Sequence, residues 1–376
     1  MDRKDFINKI QKMEEETCFQ NIYLNNYEFR SATSSVSEES KKMLMGMEEK
    51  NYCLNDFSFR QFLTRTGLDC ATFTNPHFIA SNADLVSKVI NQVLEGDEDL
   101  YSNAYIRNNE ILAAHSKNYK PLPISDLINT LESELQRQYK DFTFECGFYS
   151  DEFTIVDYSI SDYATIVAYK KALNLEDYDV KVVIRFVTSN LGLSGANLYP
   201  FVMYKRKGTN KYAYVPASPK VITLKHEGEA SIEKFRNNAH EMFALTETLP
   251  EKLNELKNIT IQYPTHCCIN LAEKVGIPAK YITEVAENVA FVYPNRSING
   301  LQLYMLFAHV IQQTNDEKLN FVLSEKVARG IRVLKERVSE IDIPKIKWKR
   351  LQNITAEEGQ DFIPSSEPEV QMSFLI

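Results

Sequence analysis

Val182-Val183-Ile184-Arg185-Phe186-Val187 is a nearly continuous β-branched and aromatic run, interrupted by one arginine. Six residues suit a strand, and apolar side chains at successive positions mean that both faces are covered. The run therefore predicts a central strand. The sequence on either side extends a sheet around it. Upstream, Phe142, Phe144 and Phe148, then Phe153 and Ile155, predict two paired strands around the turn Tyr149-Ser150-Asp151. Downstream, Leu198 to Lys205 and Lys211 to Val215 predict a hairpin joined by Gly208-Thr209-Asn210, and Val221 to Leu224 supplies a last strand. Earlier still, Ala104-Tyr105-Ile106 and Ile111-Leu112 flank Asn108-Asn109, a hairpin signal because asparagine tolerates the positive φ of a tight turn.

Helical periods surround this strand-rich stretch. Residues 1–17 place Phe6, Ile7, Ile10 and Met13 on one side. Asn82 is a predicted N-cap for a helix carrying Leu85, Val86, Val89, Ile90 and Val93, and Ser125 for one carrying Leu127, Ile128, Leu131 and Leu135. After Gly228 the pattern turns helical, with Ile232, Phe235, Ala239, Met242 and Phe243 on one stripe. Pro278 suits a helix's first position, and helical patterns continue over residues 298–310 and 321–338. The class is α+β, with an antiparallel-rich central sheet and a helical C-terminal half. The expected division is an N-terminal arm (1–54), an α+β core (55–228), a helical region packed on it (229–351) and a flexible tail (352–376); the polar run Ser31 to Glu39 reads as a loop.

The 376 residues are 44% hydrophobic and 25% charged, enough to bury a sizeable core. Mean hydropathy is −0.34. No stretch approaches the ~18–20 apolar residues that span a bilayer, and MDRKDFINKIQKMEEE carries charge where a leader would carry an apolar region, so no membrane partner is expected. A net charge of −8 excludes a wholly basic nucleic-acid coat but leaves room for a local basic groove. None of Cys18, Cys53, Cys70, Cys146, Cys267 and Cys268 sits in a C-x-x-C pair. His266-Cys267-Cys268 lacks zinc-site spacing, so buried reduced thiols are expected, with no metal and no cofactor.

Three segments resemble the DUF932 family of phage- and plasmid-encoded proteins. The first runs from Tyr105-Ile106-Arg107-Asn108-Asn109 through His115 to Tyr119-Lys120-Pro121-Leu122 and is similar to the family's strand–turn–strand and Tyr-x-Pro element. The second is Phe186-Val187-Thr188-Ser189-Asn190 followed by Gly195, and the third Leu224-Lys225-His226-Glu227-Gly228. Order and spacing match over roughly residues 55–290, with a departure at Asn190-Leu191, where the family tends to an acidic residue and glycine. The resemblance implies genomic company near DNA-processing genes of mobile elements; with neither a leader nor an anchor legible, the expected place is the cytoplasm of a host bacterium. The resemblance implies no mechanism.

Phe201 to Lys225 holds Lys205, Arg206, Lys207, Lys211, Lys220 and Lys225 without a single carboxylate, interleaved with Tyr204, Tyr212 and Tyr214. Cations at this density neutralise phosphates, and aromatic faces stack on unpaired bases. The bland alternative is a hairpin tip with lysines guarding a sheet edge. Lys345, Lys347, Lys349 and Arg350 form a second cluster around Trp348, where strand-like alternation would set the lysines on one face and Ile346 and Trp348 on the other. The terminal Gln371-Met372-Ser373-Phe374-Leu375-Ile376 resembles the bacterial sliding-clamp binding peptide, with its two hydrophobic anchors in swapped order. No P-loop, G-x-G-x-x-G, H-E-x-x-H or G-x-S-x-G is present. Asp151, Glu152 and Asp157 are the carboxylates nearest to a nuclease-like metal set, with solvated turn residues as the plainer reading. The leading expectation is a non-catalytic accessory that binds single-stranded DNA or assists annealing and replication, in which case self-assembly into a ring belongs to the same expectation. A host-takeover or anti-defence interaction factor, or a metal-dependent nuclease, stands as the alternative.

Overall fold

The computed structural model describes residues 2–32, 42–47, 50–95, 101–209, 211–356 and 358. The chain opens with α1 (Arg3–Glu16), capped by the Asp2 carboxylate, which accepts from Asp5 N. It continues through β1 (Thr17–Tyr23), β2 (Glu28–Ala32), β3 (Lys42–Met47), β4 (Lys50–Leu54), α2 (Asp56–Arg65), α3 (Pro76–Glu95), β5 (Tyr101–Arg107) and β6 (Glu110–His115). These six strands form one sheet in the order β1-β5-β6-β4-β3-β2, antiparallel except where β4 runs parallel to β6. Its apolar side is covered by α2 and α3, with Phe29, Phe59, Phe62, Val86 and Ile90 in the core between them. Asn108 and Asn109 join β5 to β6 at φ 48° and 63°, the left-handed pair that a tight hairpin demands.

A second sheet follows. Its strands are β7 (Phe142–Tyr149), β8 (Thr154–Ile160), β9 (Tyr178–Thr188), β10 (Ala196–Arg206), β11 (Ala213–Pro216) and β12 (Ile222–Leu224), with α4 (Ile124–Tyr139) before them and α5 (Tyr163–Leu173) between β8 and β9. The order is β11-β10-β9-β8-β7, all antiparallel, and β12 also pairs with β10. The run Val182–Val187 therefore lies on the middle strand. Val182, Ile184 and Phe186 face the large core shared with α4 and α6 (Ile232–Asn254), while Val183 and Val187 face a smaller cluster closed by Phe321.

The C-terminal half is helical, as its periodicity indicates. After the short strand β13 (Thr260–Ile261) come α7 (Pro264–Val275), α8 (Ala279–Val292), the short strand β14 (Ile298–Asn299), α9 (Gly300–Phe307) and α10 (Glu317–Ile341). Among the described residues the architecture is thus α+β, and no described helix is long and apolar enough to cross a membrane.

Several boundaries differ from the sequence reading. Residues 1–54 are not a separate arm, because β1 and β4 are hydrogen-bonded into the first sheet and Phe6, Ile10 and Met13 enter the large core. Asn82 does mark a boundary, a kink with φ −129° where two helical segments of α3 meet, and its Nδ2 donates back to Phe78 O. Pro278 is the residue before the first turn of α8. Helix α4 begins one residue before Ser125, whose N–H and hydroxyl both donate to Glu14 of α1. The first residues of the expected tail belong to the fold instead. Residues Lys349–Thr355 form a 3-10 turn with Leu351 and Thr355 buried, and Glu358 is bonded to the start of α7. In the linker Ser31 to Glu39, Ser31 ends up in β2, and residues 33–39 lie outside the described residues.

Candidate ligand cleft

The three segments quoted above for the expected family resemblance meet in space. His115 ends β6, Thr188 ends β9, and Lys225-His226-Glu227 follow β12; a backbone bridge between Tyr119 and Glu227, with Lys120 N donating to His226 O at 2.8 Å, ties the first segment to the third. Around this junction opens a cleft of ≈ 460 Å³. Gln61, Thr64 and Arg65 of α2 form one wall, and Gly192, Ser194 and Gly195 of the β9–β10 loop another. Gly192 adopts φ +78° and packs onto the His115 ring, where a Cβ would stand 3.2 Å from Cε1. A side chain there would have to bear a left-handed backbone as well as that contact.

Three rings stack beside the cleft. Tyr119 lies 3.7 Å from His115, nearly parallel at 8°, and 5.5 Å from His226. His115 Nε2 donates to Asn190 O at 2.7 Å; since a carbonyl only accepts, this fixes the tautomer and leaves the Nδ1 lone pair on the Gly192 side. Burial is the main cause that brings His115 down to about 4, opposed by that hydrogen bond and reinforced by the charges of Arg65 and His226. Burial also lowers His226 and raises Tyr119. All three rings are therefore uncharged near neutral pH. Arg65 is held at the wall by donating from Nη2 to Ala114 O, and Gln61 accepts from Ala114 N.

Among the described residues two buried polar atoms of the lining have no hydrogen-bond partner, Tyr119 Oη and His226 Nδ1, and Asn103, Asn190 and Asn197, each bonded to a residue of the lining, leave their Oδ1 atoms unpaired. Natural interiors carry few such atoms, and each calls for an explanation such as strain, a catalytic role or a bound water or ion. A hydrolytic triad does not assemble from this set. His226 Nε2 lies 3.1 Å from Thr188 Oγ1, but Thr188 is fully buried and no carboxylate among the described residues orients His226 Nδ1.

The expected basic hairpin is taken apart by the fold. Tyr204 points into the large core and shares a 3.2 Å hydrogen bond with His309, so it has no face to offer a base. Tyr214 is half-buried in the cluster around Phe321. The Tyr212 hydroxyl donates to Asp179 at 2.8 Å, Lys205 reaches the same carboxylate at 3.5 Å and lies over the Tyr212 ring, and Lys220 pairs with Glu241. Arg206, Lys207, Lys211 and Lys225 remain exposed without an ion-pair partner among the described residues, and of these Lys225 lines the cleft. The second cluster forms no strand. Ile346 is buried and Trp348 half-buried against the large core, Lys347 pairs with Glu273, and Lys345, Lys349 and Arg350 are exposed. No hydrogen bond or ion pair among the described residues joins the two clusters. Gln371 to Ile376 lie outside the described residues.

The carboxylates weighed for a metal are each engaged: Asp151 by Arg107, Glu152 by Lys318, and Asp157 by Arg185. No group of three or more His, Cys, Asp or Glu among the described residues is placed to hold a metal ion. Compared with protein-family models, curated proteins and solved structures, the chain matches none.

Gln61, Thr64 and Arg65 had no functional signal in sequence. Arg65 reads as the usual basic residue in a helix's last turn, and only tertiary packing sets it beside a histidine fifty positions away.

Proposed function

We propose that this protein is a non-catalytic accessory of a phage or other mobile element, as the DUF932 resemblance implies, and that it binds single-stranded nucleic acid at the cleft. The observation that carries the reading is the convergence of the three family-like segments on one cleft with a cationic rim. Arg65 and Lys225 stand on different walls, Lys120 is exposed beside Tyr119, and Glu227 is the carboxylate in the lining. The exposed Lys207 and Lys211 of the β10–β11 turn and the Lys345–Arg350 cluster add separate anionic contacts rather than one trough.

The test is fluorescence anisotropy of labelled single-stranded oligonucleotides across salt. Affinity should fall linearly with the logarithm of salt concentration. Lys225→Glu should weaken binding by about tenfold or more and flatten the slope. No binding at low salt, or a salt-independent response, refutes the reading.

A protein-interaction role is the second reading, favoured by two large side chains on the surface: Tyr163 is 79% and Phe291 73% exposed. Its sharpest form is that residues 371–376 engage a sliding clamp. A synthetic peptide of that sequence should bind purified clamp, and its Phe374→Ala form should not.

A further inference from the structure

We propose that the cleft seats a phosphate monoester, the chemistry common to a free nucleotide and the phosphorylated end of a single strand. This rests on the nucleic-acid reading above and narrows it from any stretch of strand to a terminus.

Shape is the first argument. Small-ligand pockets run from roughly 300 to 1,000 Å³, so ≈ 460 Å³ accommodates about one nucleotide. The Tyr119–Glu227 bridge and the Lys120 N to His226 O hydrogen bond join two of the lining segments, so a strand cannot pass between them.

The donors are the second. A monoester phosphate carries close to two charges and three acceptor oxygens. Arg65 and Lys225 approach from separate walls, and the Thr64, Ser116 and Ser194 hydroxyls share the lining. An interior phosphodiester has one charge and two free oxygens, and uses less of this set.

The third is the deepest part of the site. His226 is 4% and Tyr119 9% exposed; both line the cleft, and His226 Nδ1 and Tyr119 Oη, themselves shut off from its open space, have no hydrogen-bond partner among the described residues. When Thr188 Oγ1 donates to His226 Nε2, the neutral imidazole carries its hydrogen on Nδ1. The Nδ1–H and the tyrosine O–H then lie behind neutral rings that repel no anion, and the direct contacts fall to Arg65, Lys225 and the hydroxyls of the lining. The adjoining stacked rings exclude water from that side, which strengthens charge-assisted hydrogen bonds made there.

Isothermal titration of the full chain tests the proposal, with inorganic phosphate, thymidine, thymidine monophosphate and short oligothymidylates that end in phosphate or hydroxyl. Thymidine monophosphate should bind at least about tenfold tighter than thymidine, and a phosphate-ended strand at least about tenfold tighter than its hydroxyl-ended twin, a gap of roughly 1.4 kcal/mol. Lys225→Glu should erase that preference, as should Thr64→Trp, which plugs the cleft from an exposed helix position; unchanged thermal unfolding shows that both variants fold. A free-nucleotide source gives binding of the mononucleotide equal to that of the phosphate-ended strand, and a strand-end source gives tighter binding of the strand. Equal affinity for phosphate- and hydroxyl-ended strands overturns the inference and leaves the nucleic-acid reading standing. Mononucleotide binding with no strand binding does the reverse. A phosphate preference that survives both substitutions places the seat elsewhere and overturns the assignment to this cleft.

Discussion

Arg185 interrupts the apolar run of the middle strand, and its side chain is only 8% exposed. It is tolerable there because Asp157 stands directly opposite on β8 and accepts from Nε at 2.7 Å and from Nη2 at 2.8 Å, while the Phe201 ring lies 4.6 Å away. Removing one partner leaves a buried charge alone, so Asp157→Asn should destabilise the fold by about 3–5 kcal/mol. Replacing both, as Asp157→Leu with Arg185→Met, should restore most of that loss. Urea unfolding of the two singles and the double decides it, and additive losses would refute the pairing. Histidines supply a second residue-scale prediction. His115 and His309 are both lowered to about 4 by burial. In the unfolded chain each regains a value near 6.5, so between about pH 6.5 and about pH 4 the unfolded chain binds more protons. Their contribution is fully present above that window and is lost as pH falls through it. From roughly pH 7.5 to pH 5 each should remove about 2 kcal/mol. His309→Gln should therefore cut the acid-dependent loss in denaturation free energy by about that amount, and an unchanged loss would refute the assignment.

At the scale of elements, local demands were readable and packing partners were not. The Asn108-Asn109 turn needs positive φ from its own residues, and a strand as apolar as β9 needs cover on both faces, so both are visible in sequence. The tyrosines of β10 and β11 show the opposite case. Tyr212 and Tyr214 do share a face, as alternation says, and Tyr204, opposite Ala213, takes the other face with its neighbour. Alternation cannot reveal that α10, about a hundred positions further on, covers the Tyr214 face through Phe321. The same blindness hid the start of α7. Its first amides, Thr265 N and His266 N, donate to the Glu358 carboxylate at 2.7 and 2.9 Å, and His266 Nδ1 meets that carboxylate too. Asp342 holds the preceding amides of Gln262 and Tyr263 at 2.8 Å. A carboxylate at a helix N-terminus contributes up to ~2 kcal/mol in a partly buried setting. Glu358→Gln should thus speed hydrogen exchange at Thr265 and His266 by about tenfold or more. Unchanged exchange there would show that the contact adds nothing to the helix start.

For the whole molecule, the decisive question is whether the first helix is an appendage or part of the core. The sequence suggested the former, because the polar run Ser31 to Glu39 stands between the first helical pattern and the compact stretch that begins near Asn55. The structure places Phe6 and Ile10 fully buried and Met13 4% exposed, in the same core as α4 and the second sheet. The fit on β7 is close enough that a Cβ on Gly147 would lie 2.5 Å from the Phe6 ring. Burying a large apolar side chain is worth about 1.5–3 kcal/mol, so the three together supply about 5–9 kcal/mol, a large part of the roughly 5–15 kcal/mol that holds a folded domain together. Arg3 adds a bidentate contact to Glu132, and Glu14 holds the first turn of α4. Deleting residues 1–16 should therefore abolish or sharply lower the cooperative thermal transition seen by near-ultraviolet circular dichroism. Gly147→Ala, which forces Phe6 off its seat without shortening the chain, should cost about 1–3 kcal/mol. A chain of hydrogen bonds links α1 to the cleft: Tyr105, whose hydroxyl donates to Met13 Sδ, also accepts from Asn190 Nδ2, and Asn190 O accepts from His115. Loss of α1 should consequently weaken ligand binding along with stability. A truncated chain that unfolds at the full-length temperature and binds oligonucleotide equally well would restore the arm and break the link between core and cleft.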